Sequence, residues 1–207
     1  MKKTFAVLAA LAVVMILPAG EFIETFSGND LSPENWMETW KVRCAGVDYS
    51  RPLNGKLAVL GLKKVSGKNP AAYLDRDAGF TAGDFRLSAK LELRPYRDAG
   101  EYSFQLLTEN GELLIGAKLE SKDGKVMVSG MCGHSCTTVK ETAFQLNNPG
   151  GTLEIVREKS IYTVLFNGKP AYCGNGDTAP AASFRLQVAG KPGILTLSEL
   201  TLRNIRK

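Results

Sequence analysis

Hydrophobic and polar side chains alternate along most of the chain with a period of two residues. The clearest case is Phe85–Leu93, FRLSAKLEL, where apolar residues occupy every second position and charged or hydroxyl side chains fill the others. This period predicts a β-strand with one face on a core and the other in water. Segments 102–106, 152–157 and 183–188 repeat the pattern. The chain is therefore expected to be built mainly from strands.

Turn signals separate these segments at short intervals. The pairs Asn110-Gly111, Asp123-Gly124 and Asn167-Gly168 lie between strand-like runs, and such pairs are strong hairpin signals. About eleven to thirteen strands at this spacing predict an all-β, two-sheet antiparallel sandwich. A single helical turn is predicted at Ser32–Asn35, where Ser32 can cap and Pro33 can take the first position.

The N-terminal segment has the pattern of a helical signal peptide. Lys2 and Lys3 precede an apolar run of about 13 residues, and small residues follow before the acidic Glu21. The run is shorter than the roughly 20 residues that span a bilayer as a helix. We therefore expect a signal peptide at 1–20 and one exported domain at 21–207, in the periplasm or outside the cell. A retained N-terminal anchor is the alternative.

Composition narrows the classes of partner. The formal net charge is +5, and two of these charges belong to the predicted signal peptide. Basic residues are spread along the chain without a lysine and arginine block, so nucleic-acid binding is not expected. No segment after the signal peptide is apolar enough to predict a membrane span.

Four cysteines remain in the exported domain, and an even number in such a domain predicts disulfides. Three connectivities are possible, and we favour Cys132–Cys136 with Cys44–Cys173, since the first pair is local and Gly133 relaxes its turn. His134, the single histidine, lies inside that loop. It is an exposed loop residue, a metal ligand beside free thiolates, or part of a redox site.

Several segments together resemble the concanavalin A-like jelly rolls, including the laminin-G-like domains. The matching segments are Ile23–Phe26 followed by Leu31 and Trp36, Gly83–Lys90, the hairpin Leu153–Arg157 to Tyr162–Gly168, and Leu197–Leu202. The resemblance implies a two-sheet antiparallel jelly-roll sandwich in which the outer face of one curved sheet often binds sugar. Lectins, carbohydrate-binding modules, glycoside hydrolases and adhesion modules share this fold, so fold alone does not select a function.

The glycosidases of that superfamily place their catalytic carboxylates on one strand as Glu-x-Asp-x-(x)-Glu, which puts them on one face. No strand of this chain has that pattern. We therefore expect a non-catalytic carbohydrate-binding protein. The alternatives are a hydrolase or lyase acting on glycosides through a non-standard site, with Glu92 and Glu101 as the carboxylates to test, and a structural or protein-interaction module of the cell envelope.

Polar and aromatic residues on the strands are the candidates for ligand binding. The candidate set is Trp40, Arg86, Lys90, Glu92, Gln105 and Arg185. Its cationic majority indicates an acidic or heavily hydroxylated glycan. No cofactor is predicted. The oxygens of Gly28–Asp30 and Gly174–Asp177 are suitable ligands for calcium, and turn chemistry also explains these residues.

Overall fold

The computed structural model describes most of the chain after its N-terminal quarter. The described residues are 22–24, 26, 40–44, 56–60, 71–81 and 83–205, with the backbone alone for 40–44, 57–60, 71–73 and 80. The predicted signal peptide, the helical turn at Ser32–Asn35, Trp36 and the first calcium candidate, Gly28–Asp30, lie outside these residues.

The described residues form fifteen strands and contain no helix. The strands are β1 (Phe22–Glu24), β2 (Trp40–Cys44), β3 (Leu57–Leu60), β4 (Ala71–Thr81), β5 (Phe85–Pro95), β6 (Gly100–Leu107), β7 (Leu113–Lys122), β8 (Lys125–Cys132), β9 (Thr137–Glu141), β10 (Phe144–Leu146), β11 (Gly150–Glu158), β12 (Ile161–Phe166), β13 (Lys169–Asn175), β14 (Ala181–Gly190) and β15 (Gly193–Asn204).

These strands pair into two antiparallel sheets. Sheet 1 has the order β1-β15-β5-β11-β12-β13-β9, and β3 pairs with β15 on the same edge as β1. Sheet 2 has the order β10-β8-β7-β6-β14-β4-β2. One hydrophobic core combines side chains of both sheets, so the predicted two-layer antiparallel sandwich is confirmed.

Alternation within each strand decides which side chains enter that core. In β5 the five apolar residues from Phe85 to Leu93 are buried, whereas Arg86, Lys90 and Glu92 are exposed. In β6 the rings of Tyr102 and Phe104 are buried, and Phe104 packs against Phe184 of β14 with 6.3 Å between ring centroids. Burying each such side chain contributes roughly 1.5–3 kcal/mol relative to exposure.

Arg157 is a charged residue inside this core. It is fully buried, and its guanidinium donates to the carbonyl oxygens of Gly83 and Ala179 and lies 4.6 Å from the centroid of the Phe85 ring. The carbonyls and the ring face satisfy the cation in place of water. Arg157 thereby ties β11 to the β4–β5 turn and to the loop after β13.

The structure confirms one predicted disulfide and contradicts the other. Cys132 and Cys136 are bonded, with 5.6 Å between their Cα atoms, and they close the β8–β9 turn. Cys173 is a free thiol, so the Cys44–Cys173 prediction is wrong. The reason is topological: β2, with Cys44, is the edge strand of sheet 2 beyond β4, while β13 lies at the end of sheet 1 that contacts β8. His134 is exposed in the disulfide loop.

Candidate ligand-binding face

The sandwich presents two outward faces with different character. The back face is the outer surface of sheet 1, and its charged members include Arg86, Lys90, Glu92, Arg94, Glu154, Glu199 and Arg203. The front face is the outer surface of sheet 2, and its polar members include Asp75, Glu101, Ser103, Gln105, Lys118, Glu120, Ser129, Arg185 and Gln187.

On the back face, charged side chains pair locally and remain in water. Lys90 Nζ lies 3.0 Å from Glu199, and Arg86 lies 3.5 Å from Glu154. More than half of each cationic side chain is exposed. Ion pairs of this kind are screened by solvent and contribute little to stability. The charged pairs of the back face are therefore solvated. A groove of about 730 Å³ lies at one end of this face, and Glu92, Arg94 and Thr196 are among its lining residues.

On the front face, two polar pairs lie side by side across three strands, and we call these four residues the front-face network. Gln105 of β6 and Arg185 of β14 lie directly opposite each other in the register. Gln105 Nε2 donates to Gln187 Oε1 at 2.9 Å. Arg185 donates through Nε and Nη2 to the two carboxylate oxygens of Asp75 on β4, at 2.7 and 2.8 Å. This is the bidentate geometry of a strong charge-assisted pair.

Several front-face side chains are shielded although they point away from the core. Ser103 is 1% exposed, and Gln105 and Ser129 are each 8% exposed. Buried polar groups require hydrogen-bond partners, and an amide offers two donors and an acceptor oxygen. The front face is therefore a recessed polar surface that contains donors and acceptors in fixed positions.

A groove of about 780 Å³ lies at one end of the front face. Its lining residues on the strands include Glu101, Glu120, Met127, Gln145 and Ala189. Lys122, Asp123 and Lys125, at the turn between β7 and β8, also line it.

Two carboxylates, Glu101 and Glu120, line this groove directly opposite each other on β6 and β7. Glu101 lies 3.4 Å from Lys118 Nζ and accepts a 3.4 Å hydrogen bond from Ser103 Oγ. The sequence pattern of a single strand cannot reveal this pair, because the register between two strands forms it.

The predicted ligand residues do not come together at one place. Arg86, Lys90 and Glu92 lie on the back face, and Gln105 and Arg185 lie on the front face. Trp40 lies on β2 opposite Arg76 in the register, and its side chain is outside the described part of the chain. Strand alternation shows which residues share a side of their own strand, but it does not assign the strand to a sheet.

The front-face partners of Gln105 and Arg185 were missed by the sequence analysis. Gln187 lies two residues beyond Arg185 in an alternating strand, so its side was predictable. Asp75 lies on another strand and meets Arg185 through pairing of β4 with β14. Glu120 lies opposite Glu101 in the groove through pairing of β7 with β6. No local signal in the sequence specifies that register.

Tyr102 shares β6 with Ser103 and Gln105 but faces the core. Its hydroxyl donates to the Gly193 carbonyl at 2.8 Å, and burial raises the pKa of Tyr102 well above its usual range. Burial also raises the pKa of Tyr162, although the Arg157 cation opposes that rise. Both phenols are neutral structural groups and neither enters the front face.

The second calcium candidate, Gly174–Asp177, is explained by turn contacts. The Asp177 carboxylate accepts a 3.1 Å hydrogen bond from the Ala179 amide, and its carbonyl accepts from the Tyr162 hydroxyl. Among the described side chains, no three His, Cys, Asp or Glu residues converge to hold a metal ion.

None of the described elements is a helix with the length and apolar character needed to cross a bilayer.

Comparison with known proteins supports the fold and no specific family. No family model and no curated protein sequence matches the chain. Among solved structures, it is similar to the CBM2 module of the evolved Dit of Lactobacillus casei BL23 phage J-1, with 10% identity over 90% of this chain and 96% of that chain, and a TM-score of 0.59.

Two further structures extend this similarity. A legume lectin-like domain from Entamoeba histolytica has 14% identity over 84% of this chain and 94% of that chain, with a TM-score of 0.52. An endo-acting O-glycanase structure from the human gut microbiota has 11% identity over 89% and 99%, with a TM-score of 0.60. At such low identity the likeness shows the fold: a lectin-like jelly roll, as the resemblance implied.

Proposed function

We propose that this protein is an exported, non-catalytic carbohydrate-binding module whose site is the front face. The observation that supports this proposal is the recessed network of Gln105, Gln187, Arg185 and Asp75 on an outward sheet surface. A polar network kept on a shielded surface costs desolvation free energy, so its retention favours a binding role over a purely structural one.

Sugar chemistry matches this surface. Each sugar hydroxyl both donates and accepts hydrogen bonds, and the front face presents amide, hydroxyl and carboxylate groups that do the same. Methionine side chains beside them, Met127 and Met131, offer apolar contact for the C–H faces of a sugar ring. The CBM2 module and the lectin-like domain with the same fold are consistent with this assignment.

A glycan-array screen of the purified, oxidised protein tests the proposal. Binding to one glycan class should be lost in Gln105→Ala and Gln187→Ala, because each removes part of the network. The matched controls Arg86→Ala and Lys90→Ala change the back face and should keep wild-type binding. Equal loss from front-face and back-face variants, or no binding to any glycan, would contradict the proposal.

A glycoside hydrolase is the second candidate, because the groove contains an opposed carboxylate pair. Directly opposite residues of an antiparallel pair have Cβ atoms about 4.5–5.5 Å apart. That spacing is compatible with the roughly 5–5.5 Å carboxyl separation of retaining glycosidases, and Glu101 and Glu120 are such a pair. Release of reducing ends from a bound polysaccharide, lost in both Glu101→Gln and Glu120→Gln, would favour hydrolysis over simple binding.

Export is part of the proposal and has its own support. The predicted signal peptide and the Cys132–Cys136 disulfide both fit an oxidising compartment outside the cytoplasm. N-terminal sequencing of the protein recovered from the periplasm or the medium tests this part. A mature chain starting near Glu21 is expected, and recovery of the whole chain, with Met1 intact and in the cytoplasm, would contradict it.

A further inference from the structure

We infer that the glycan bound on the front face is uncharged. This inference rests on the proposed carbohydrate-binding function and concerns the ligand class of the same site. Of the two ligand classes expected from the sequence, an acidic or a heavily hydroxylated glycan, it selects the second, because the first counted the basic residues of both faces as one set.

Within the described part of the front face, the two central cations, Arg185 and Lys118, are each paired with a carboxylate. Arg185 and Asp75 form two short hydrogen bonds, and their side chains are 25% and 14% exposed. Lys118 lies 3.4 Å from Glu101, and both side chains are about 30% exposed. Partly buried pairs of this kind are screened less by solvent than the exposed pairs of the back face.

An acidic sugar would have to compete with these carboxylates. A uronate that bound Arg185 would either displace Asp75 or lie beside it, which places two anions together in a shielded site. Juxtaposed like charges oppose binding strongly. A sugar hydroxyl has no such conflict, because each carboxylate oxygen has two acceptor positions and Asp75 can receive a hydroxyl while it remains bonded to Arg185.

Two uncharged amides, Gln105 and Gln187, lie at the centre of the front face. Gln105 and Gln187 join β6 to β14 through their 2.9 Å hydrogen bond, and Gln105 lies beside Arg185. An amide recognises a hydroxyl by donating one hydrogen bond and accepting another. The centre of the front face therefore offers polar recognition without net charge.

Two lysines at the end of the groove are the residues that could bind an acidic glycan instead. Lys122 and Lys125 are exposed and face each other across the β7–β8 turn, with Asp123 between them in the sequence. If an acidic glycan binds, these two residues are the cations to test. They lie at the end of the groove, whereas the amides lie at the centre of the face.

The first test compares a neutral oligosaccharide that binds in the screen with its C6-oxidised uronate counterpart of the same linkage and length, by calorimetry with wild-type protein. We expect the neutral sugar to bind more than about tenfold tighter. Its affinity should change less than about twofold between 50 and 500 mM salt, because no ion pair forms on binding.

Two variants sharpen this result. Asp75→Asn removes the carboxylate and leaves the Arg185 charge without compensation from residue 75, so uronate affinity should rise at least about tenfold. The double variant Asp75→Asn with Arg185→Gln removes both charges, so the uronate affinity gained in Asp75→Asn should be lost again. Thermal unfolding checks that each variant is folded.

The possible results separate this inference from the function on which it rests. A preference for the uronate that falls with salt, and is lost in the Lys122→Ala, Lys125→Ala double variant, would overturn the neutral-ligand inference and leave carbohydrate binding in place. The same preference lost in Arg185→Gln would overturn it as well. Failure of wild-type protein to bind any neutral or acidic sugar would refute both.

Discussion

The two outward faces of this sandwich have similar residue types but different physical surroundings. On the back face, Lys90 and Glu199 pair in water, with 59% of the Lys90 side chain exposed. On the front face, Arg185 and Asp75 form a closer, bidentate pair, with 25% of the Arg185 side chain exposed. Both faces thus carry ion pairs on alternating strands, and the depth of the paired groups distinguishes them.

This difference determines what each polar group contributes. A solvated pair gains little because water competes for both ions. A shielded pair or amide depends on its partner, since loss of that partner leaves a desolvated group unsatisfied. The front face should therefore respond strongly to single substitutions and the back face weakly.

We expect the largest difference in the free energy of unfolding between the variants Arg185→Met and Lys90→Met. Arg185→Met leaves Asp75 in a shielded site without its bidentate partner, so the free energy of unfolding should fall by about 2–3 kcal/mol. Lys90→Met removes an exposed pair and should change it by less than about 0.5 kcal/mol. Urea unfolding of both variants measures the difference; similar small losses would remove the distinction between the faces.

The next effect concerns the amide pair. Gln187→Leu leaves the Gln105 amide without its 2.9 Å partner and should destabilise the protein by about 1–2 kcal/mol. Adding Gln105→Leu removes the unsatisfied amide, so the double variant should be less unstable than the sum of the single variants. A double-mutant cycle in urea tests this coupling, and strict additivity would show that the pair does not interact.

A smaller effect is expected for the two buried phenols, Tyr102 behind the front face and Tyr162 behind the back face. Both pKa values are raised by burial, so the neutral phenols stabilise the fold below about pH 10, and this stability is lost as pH rises above that unfolded-state value. Tyr102→Phe should cost about 1 kcal/mol at neutral pH through the lost Gly193 hydrogen bond.

The alkaline limb of the stability profile then distinguishes the two phenols. It should become shallower in Tyr102→Phe than in Tyr162→Phe, because the Arg157 cation opposes the pKa rise of Tyr162 alone. Unfolding followed between pH 7 and 11 measures both slopes. Identical slopes in the two variants would contradict this assignment.

The smallest effect is expected at Ser121, on the inner side of sheet 2. Within the described residues, its buried hydroxyl has no hydrogen-bond partner. Ser121→Ala should therefore raise the free energy of unfolding by up to about 1 kcal/mol, in contrast to the losses at the bonded front-face groups. Urea unfolding measures this change. A destabilised Ser121→Ala variant would contradict the idea that hydrogen bonding, rather than polarity alone, determines the change in the free energy of unfolding.

The strands were predictable from the sequence where one side of the strand packs on the core and the other side faces water, because apolar and polar residues then alternate. The alternation of Phe85–Leu93 is reproduced residue by residue in β5. The described residues form fifteen strands rather than the predicted eleven to thirteen, and three short strands, β2, β9 and β10, lie at sheet edges. In β9 every residue is exposed, so no apolar face creates an alternating pattern.

The site was predictable only in part, because it depends on relations between distant strands. Gln105 and Arg185 were identified from their own strands, but their grouping with Arg86 and Lys90 required knowledge of which sheet holds each strand. The same limit explains the cysteines: Cys132–Cys136 is local, whereas the position of Cys173 relative to β2 depends on the whole topology.

The position of β15 has a consequence for how the chain acquires its structure during biosynthesis. β15 pairs with β5 along one side and with both β1 and β3 along the other, so segments from near both ends of the described chain meet there. The sheet cannot be completed until residues 193–204 have emerged from the ribosome. The polypeptide should therefore remain open during synthesis and close late and slowly, as pairings distant in sequence require.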